Sequence, residues 1–527
     1  MIITMLDSSF LQIGSRPQFF IDDLVIESAQ DLTRRHHKPQ KVGDAPMIHR
    51  DRPWEKTIYI SCNTWNVIHD PQDGLFKCWY ENWMLDSAHD MPYQFRESDG
   101  KIIVDVHNEA CSGVCYAQST DGVTWEKPEM DIVQIDGANT NIVMGLGFGG
   151  ETAHCATVML DPMETDPEHR FKMFFMNAIA DIVEGTTGSA FFALATSPDG
   201  VHWKVNDERP VFGMTERALG DVVTLTADPA SRVYWLNNRH PDMCTVPADP
   251  ACPPTKSWIS PYGPQNFARQ NKRRVFRSQS ADLIHWSHPR PLIVPDDAVD
   301  NLDDVFYGME QVPVGEDWLG FLNVLHQVDN TMDVQLVYSR DGENFDRVRP
   351  GHAWLEGDKD SWDTNMVSIC SKPVVVGNEL YVYHGGTRRH HDWWMVGPSE
   401  GLVHPEVDNP DPDGFGIGLA KIKRDRFVSL DTGPVREGVL ITHPVRPQGT
   451  ELVINALCRE GGSIRAELTD SDGTVIKGFE KDSSIPFNGD AVEHTMQWQA
   501  EKPTPKGMFL RLRLFIWNGE VFSFQFR

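Results

Sequence analysis

The sequence predicts an all-β fold, a five-bladed β-propeller followed by a C-terminal β-sandwich. Three observations predict it. Short β-rich runs bounded by turn signals dominate, among them TIYISC, LFKCWYENW, RFKMFFMN, AFFALATS, RVYWLNN, DVQLVYS and ELYVYHGG, and long helical patterns are scarce. A phrase with an aromatic centre recurs along the chain at intervals of roughly 60 to 80 residues. After residue 432 the repeat stops and a different run of strands begins.

Residues 1–50 read as an N-terminal strand, QFFIDDLVIES, with an arm laid over the first blade. Residues 51–432 carry the repeat. Its copies are STDGVTWEKP, TSPDGVHWKV, SQSADLIHWSHPRP, SRDGENFDRV and the worn KRDRFVSLD, centred on Trp125, Trp203, Trp286, Phe345 and Phe427. Before each copy comes the same order of events. An inner-strand candidate ends near a turn (NTWNVIHDPQDG, HCATVMLDP, DVVTLTADPAS, MEQVPVGED, SKPVVVGN), and an aromatic strand follows. About four strands per unit and five units make a propeller. The Asp-Gly of the phrase then turns the chain between the third and fourth strands. Its aromatic packs between neighbouring blades, so the phrase is structural. Residues 438–527, with GVLITHPV, TELVINALC, SIRAELTD and MFLRLRLFIW, read as the sandwich, which either braces the propeller or mediates a homo-oligomer.

Charge and cysteine usage narrow the partners. The chain has 527 residues and a formal net charge of −28. That excludes nucleic acid, whose phosphates need a basic surface, and anionic membranes. No apolar run approaches the ~20 residues of a membrane span, and no signal-peptide pattern opens the sequence. Nine scattered cysteines with no CxxC pair suit reduced thiols and a cytoplasmic location.

A propeller collects one strand per blade around its axis, so the starts of the inner strands and the ends of the second strands converge on one face. From the inner strands this brings Asn63, Trp65, Glu151, His154, Asp221, Asp303, Asp304, Asp363 and Asn365. From the second strands it brings Glu81, Trp83, Asn177, Arg239, His240, His326, His384 and Arg388. Aromatic faces stack on sugar C–H surfaces, Asn, Arg and His bind hydroxyls, and a carboxylate pair cleaves a glycosidic bond. Glu151, Asp221 and Asp304 are the catalytic candidates. Asn63, Trp65, His154, Arg239, His326, Asp363, Asn365, His384 and Arg388 are the substrate-binding candidates. Glu55 either enters from the rim or holds the arm. The twin motifs TRRHHKPQ and TRRHHDWW place His36, His37, His390 and His391 in pairs. Adjacent histidines on a strand face opposite ways, and neither HExxH nor a paired CxxC is present, so no metal and no cofactor are expected.

Five blades followed by a sandwich resemble glycoside hydrolase families 32 and 68, and the blades alone resemble families 43 and 62. FFIDDLVIESAQDLTRRHHKPQK, RPWEKTIYI, LFKCWYENW, YAQSTDGVTWEKP and the tail from GSIRAELTDSDG to FSFQF are most similar to bacterial family-32-like propeller proteins. The resemblance covers nearly the whole chain and implies a glycosidase. The W-x-N-D-P-N-G, R-D-P and E-C motifs of family 32 are absent. By blade order alone the family's acids fall near Asp22, Asp23 or Glu55, then Glu151, then Asp221. The expected activity is exo-acting hydrolysis of a furanosidic or small glycan, one carboxylate serving as general acid with a raised pKa. Two alternatives stay open at this point. One is a carbohydrate-binding propeller without catalysis. The other is a lyase-type enzyme with His326 or His384 as base and Arg239 as charge stabiliser.

Overall fold

The computed structural model describes residues 10–60, 64–84, 93–98, 101–106, 112–148, 152–177, 192–212, 220–240, 273–296, 298–301, 303–327, 329–391 and 414–527. Its elements are β-strands and a few 3₁₀ turns. The first antiparallel unit is Trp65–His69, Phe76–Trp83, Ser112–Ser119 and Ile142–Gly145. The second is His154–Leu160, Phe171–Met176, Phe192–Ser197 and Lys204–Val205. Val223–Asp228, Val233–His240 and Arg274–Ser280 build the third, edged by Arg290–Ile293. The fourth holds Asp304–Val314, Asp317–His326, Thr331–Ser339 and Asp346–Arg347. In the fifth, Met366–Ser368, Glu379–Thr387 and Phe415–Lys423 are completed by Gln40–Lys41 and Ile48–His49 from the N-terminal segment.

Hydrogen bonds between units run in a ring. Asn66 Oδ1 of the first unit accepts from Val158 N of the second at 2.7 Å. Thr224 Oγ1 of the third donates to Met309 O of the fourth at 2.7 Å. Asn323 of the fourth exchanges two bonds with the backbone of Ile369 in the fifth. Asn66 Nδ2 closes the circle by donating to Cys370 O at 2.9 Å.

The repeated phrase makes the same turn in four copies. In the first, Ser119 Oγ accepts from the backbone N–H of Gly122, and Asp121 Oδ1 accepts from Val123 N and Thr124 N. These amides pull the Asp121 carboxyl down to about 2. The same bonds recur at Ser197 and Asp199, Ser280 and Asp282, and Ser339 and Asp341. The turn needs a left-handed residue, filled by Gly122, Gly200 and Gly342 and, in the third copy, by Leu283 at φ 66°. Each phrase aromatic reaches the preceding unit: Trp203 meets Trp79, Trp286 meets Phe174, Trp125 meets Tyr383 of the fifth unit, and Phe427 meets Trp354.

The N-terminal arm lies elsewhere than the sequence suggests. Leu11–Gly14, Gln18–Phe19, Ile26–Gln30 and Thr33–His36 pair with strands of the C-terminal module, and the next two strands edge the fifth unit. The physical reason is an open edge: Phe415–Lys423 needs a partner, and the N-terminal chain supplies it. The C-terminal module also differs in strand length. Leu452–Asp470 and Leu510–Phe526 are single long strands that pair along their length, with a register shift between Cys458 and Ser463. On the second, Leu510, Leu512, Leu514 and Ile516 point inward and alternate with Arg511, Arg513 and Phe515, which are partly exposed on the other face. All of these strands belong to one hydrogen-bonded sheet of ten.

Candidate active site

The starts of the second, third and fourth inner strands and the ends of the neighbouring second strands meet in one polar cluster. Glu81, near the end of Phe76–Trp83, is fully buried. Its Oε1 accepts from Trp83 Nε1 at 2.7 Å and lies 2.7 Å from His154 Nδ1; Oε2 accepts from Cys155 N at 3.0 Å. The other nitrogen of His154 stands 3.9 Å from Asp221 Oδ2. Burial alone would lower the pKa of His154, but Glu81 and then Asp221 outweigh it and hold the ring well above the ordinary histidine value, protonated.

Asp221 is the open member, its side chain 34% exposed. Burial pushes its carboxyl up, yet the Arg239 guanidinium, His154 and Arg273 pull harder and keep it well below the usual carboxylate range. Arg239 pairs with Asp221 Oδ1. Its guanidinium lies 4.5 Å from the Tyr307 ring centroid, and that of Arg273 lies 4.9 Å from the same ring. His391 packs on Tyr307 at 4.7 Å, and Trp83 stacks on Tyr59 at 4.0 Å, 5.8 Å from His154. An ionised carboxylate, two guanidiniums and aromatic rings are therefore packed together, with Asp221 partly open to solvent.

A second set lies within the fourth unit. His326 Nδ1 is 2.6 Å from Asp304 Oδ1, and its Nε2 is 3.0 Å from Asp333 Oδ2. Asp304 and His326 are direct cross-strand partners. Burial opposes charge on His326, but the two carboxylates raise its pKa to about 10. Burial likewise opposes charge on Asp304, and His326 and the Asn301 amide lower its pKa regardless.

The remaining candidates separate. Asn365 Nδ2 donates to Arg388 O at 2.6 Å, so these two meet each other through the backbone. Trp65 is a correction: 1% exposed, it packs in the core among Ile58, Ile60 and Tyr383, because the pleat turns it into the sheet stack and not toward open space. Asp363 and His384 are a second correction. They lie 3.4 Å apart beside Lys41 of the outermost strand of the fifth unit, away from Asp221. Asn63 and Glu151 fall outside the described residues. Glu55 holds the arm: fully buried, it accepts from Asp51 N, Arg52 N, Lys127 Nζ and Tyr80 Oη. Asp22 pairs with Arg340 and Asp23 with Arg34, in contacts with the outer turn of the fourth unit and the N-terminal strands.

Three residues that sequence reasoning missed belong here. Tyr307 lies in the fourth inner strand and Arg273 just before Arg274–Ser280, and no motif marks either. Cys155 has φ 49°, strained for a buried residue with a side chain, and its thiol sits 3.3 Å from His154 Nε2. Glu81, His154 and Cys155 offer donor atoms all within 4.8 Å of one another, carboxylate, imidazole and thiol being the types that bind zinc. In the structure those atoms are turned on one another as hydrogen-bond partners.

No family model matches the chain, and no curated relative does. Solved structures are similar to it. An N-acetylgalactosamine deacetylase from F. plautii, in complex with blood group B trisaccharide, is 13% identical over 74% of this chain and 96% of its own, with a TM-score of 0.43. A β-1,2-mannobiose phosphorylase from Listeria innocua, in complex with β-1,2-mannobiose, is 12% identical over 73% of this chain and 96% of its own, with a TM-score of 0.42. A fructofuranosidase from Schwanniomyces occidentalis, complexed with fructosylnystose, is 11% identical over 91% of this chain and 96% of its own, with a TM-score of 0.40.

Proposed function

We propose that the protein is a glycoside hydrolase, exo-acting on a furanosidic or small glycan bound in the axial funnel. The observation that carries the reading is Asp221: a partly open carboxylate, held ionised by Arg239 and His154, two residues before the third inner strand. An ionised carboxylate suits the nucleophile or general base of glycosidic cleavage, and not the general acid. Asp304 is also held below the ordinary range, so the acid role passes to Glu151, three residues before His154 in the chain. Glu81 orients His154, His154 supports the charge on Asp221, and Arg239 and Arg273 pack on Tyr307.

The lyase-type alternative is weakened by His326. A base must accept a proton, and a ring held protonated to about pH 10 between Asp304 and Asp333 has no free nitrogen lone pair to take one at neutral pH. The test is a panel of aryl glycofuranosides and glycopyranosides with wild type and Asp221→Asn. Asp221→Asn should lose roughly 10³-fold in kcat on whichever glycoside wild type hydrolyses. Unchanged kcat overturns the assignment, and binding without turnover in wild type leaves a carbohydrate-binding propeller.

A further inference from the structure

Asp363 and His384 do not join the funnel, and what they build instead has the marks of a ligand site. His384 lines a cavity of about 400 Å³ with Lys41, Asp358, Trp362 and Gly418, and Asp363 backs its wall through Lys41. His384 is 1% exposed, yet its Nδ1 makes no hydrogen bond among the described residues. The nearest acceptor, Asp363 Oδ2, stands 3.4 Å from Nε2. A buried polar group left unmade costs about 1–3 kcal/mol, and such groups mark places where water or a ligand completes the bonding. Burial holds the imidazole below its ordinary pKa against the pull of Asp363, so the ring is neutral and presents one donor and one acceptor.

The rest of the wall suits a sugar. Trp362 is partly exposed, and its indole lies nearly parallel to the imidazole, centroids 5.6 Å apart. Gly418 makes room for both rings: a Cβ there would stand 2.7 Å from Trp362 and 2.8 Å from His384. Lys41 Nζ reaches Asp363 Oδ2 at 2.6 Å and Asp358 Oδ2 at 3.0 Å, and Asp358 is otherwise open to solvent. An aromatic face with a neutral imidazole and a lysine–carboxylate pair beside it matches the C–H face and vicinal hydroxyls of a neutral saccharide.

We infer that this cavity is a second, non-catalytic binding site for one neutral sugar residue, stacked on Trp362 and hydrogen-bonded by Asp358, Lys41 and His384. The inference rests on the glycan reading only for the class of ligand. The test is ¹⁹F NMR of full-length protein labelled with 5-fluorotryptophan, the Trp362 signal being the one missing from Trp362→Phe. D-fructose, L-arabinose and D-mannose are the probes, with glycerol as control. At least one sugar should move the Trp362 signal saturably, equally well in wild type and Asp221→Asn. Lys41→Met, with its other tryptophan signals in place, should weaken that response at least tenfold. The proposal is overturned if no sugar moves the signal, if glycerol moves it as strongly, or if Lys41→Met responds like wild type. Failure of the hydrolase reading shows separately, as absent turnover with the Trp362 response intact.

Discussion

Two histidines in this protein are each held between two carboxylates, and they differ in how far along the chain their partners come from. His326 takes Asp304 and Asp333 from adjacent strands of one unit, a set made by a single antiparallel meander. His154 takes Glu81 from the first unit and faces Asp221 of the third, so its set exists only when three units have docked. In the local set each ring nitrogen has a carboxylate oxygen within 3.0 Å. The assembled set leaves one carboxylate partly open, beside Arg239 and Tyr307. On the proposed reading, the same constellation serves cohesion when it is local and takes part in the reaction when it bridges units.

The sharpest break of this comparison is His154→Gln against His326→Gln. Removing His154 takes one of three cations from Asp221 and leaves the buried carboxylate of Glu81 without its charged partner. We expect kcat/KM on the active glycoside to fall about 100-fold, the scale of losing an orienting partner. Without His154 the pKa of Asp221 rises, so the acid limb of the kcat/KM profile should shift to higher pH. A profile that falls in height without moving its acid limb would place His154 in folding alone.

His326→Gln should leave kcat within a few-fold and act on stability. The pKa of His326 is raised on folding, so its contribution is fully present below about pH 6.5 and is lost as pH rises through about 10. The variant leaves Asp304 and Asp333 facing each other without the cation between them. A loss of about 3 kcal/mol is expected at pH 7, read as a lower urea midpoint at unchanged m-value. The gap to wild type should close above pH 10. A gap independent of pH would mean the ring acts by packing.

The contrast also explains what was legible in the sequence. The recurring phrase is a local device, one serine, one aspartate and a left-handed residue bonding their own turn, so its four full copies can be aligned by eye. Asp304 and His326 were found the same way, as the beginning and end of consecutive strands. The partners of His154 were harder. Blade geometry places Glu81, His154 and Asp221 on one rim, but not which of them is buried, and burial is what makes Glu81 an orienting group and Asp221 the open one. Trp65 failed for a related reason: the strand start was right, but the pleat decides between core and funnel, and a shift of one residue reverses it. The N-terminal arm was misplaced because strand partners of a sheet edge are chosen by the far end of the chain. Cys155, Arg273 and Tyr307 carry no local pattern, and their neighbours come from other units.

The mildest test is Asp333→Asn, which keeps one side of the local set. Asp304 remains 2.6 Å from Nδ1, and an amide oxygen can still accept from Nε2. What is lost is the charge of the second carboxylate. His326 should then titrate below its present value of about 10 while staying above 6.5, measurable by NMR of ¹³C-labelled histidine. The stability lost should be about 1 kcal/mol at pH 7, since Asp333 is itself partly solvated and its pairing is screened. Because the ring still carries its proton at neutral pH, activity should not change. If Asp333→Asn instead lowers kcat as His154→Gln does, the fourth unit contributes to the reaction and the division between a local set and an assembled one fails.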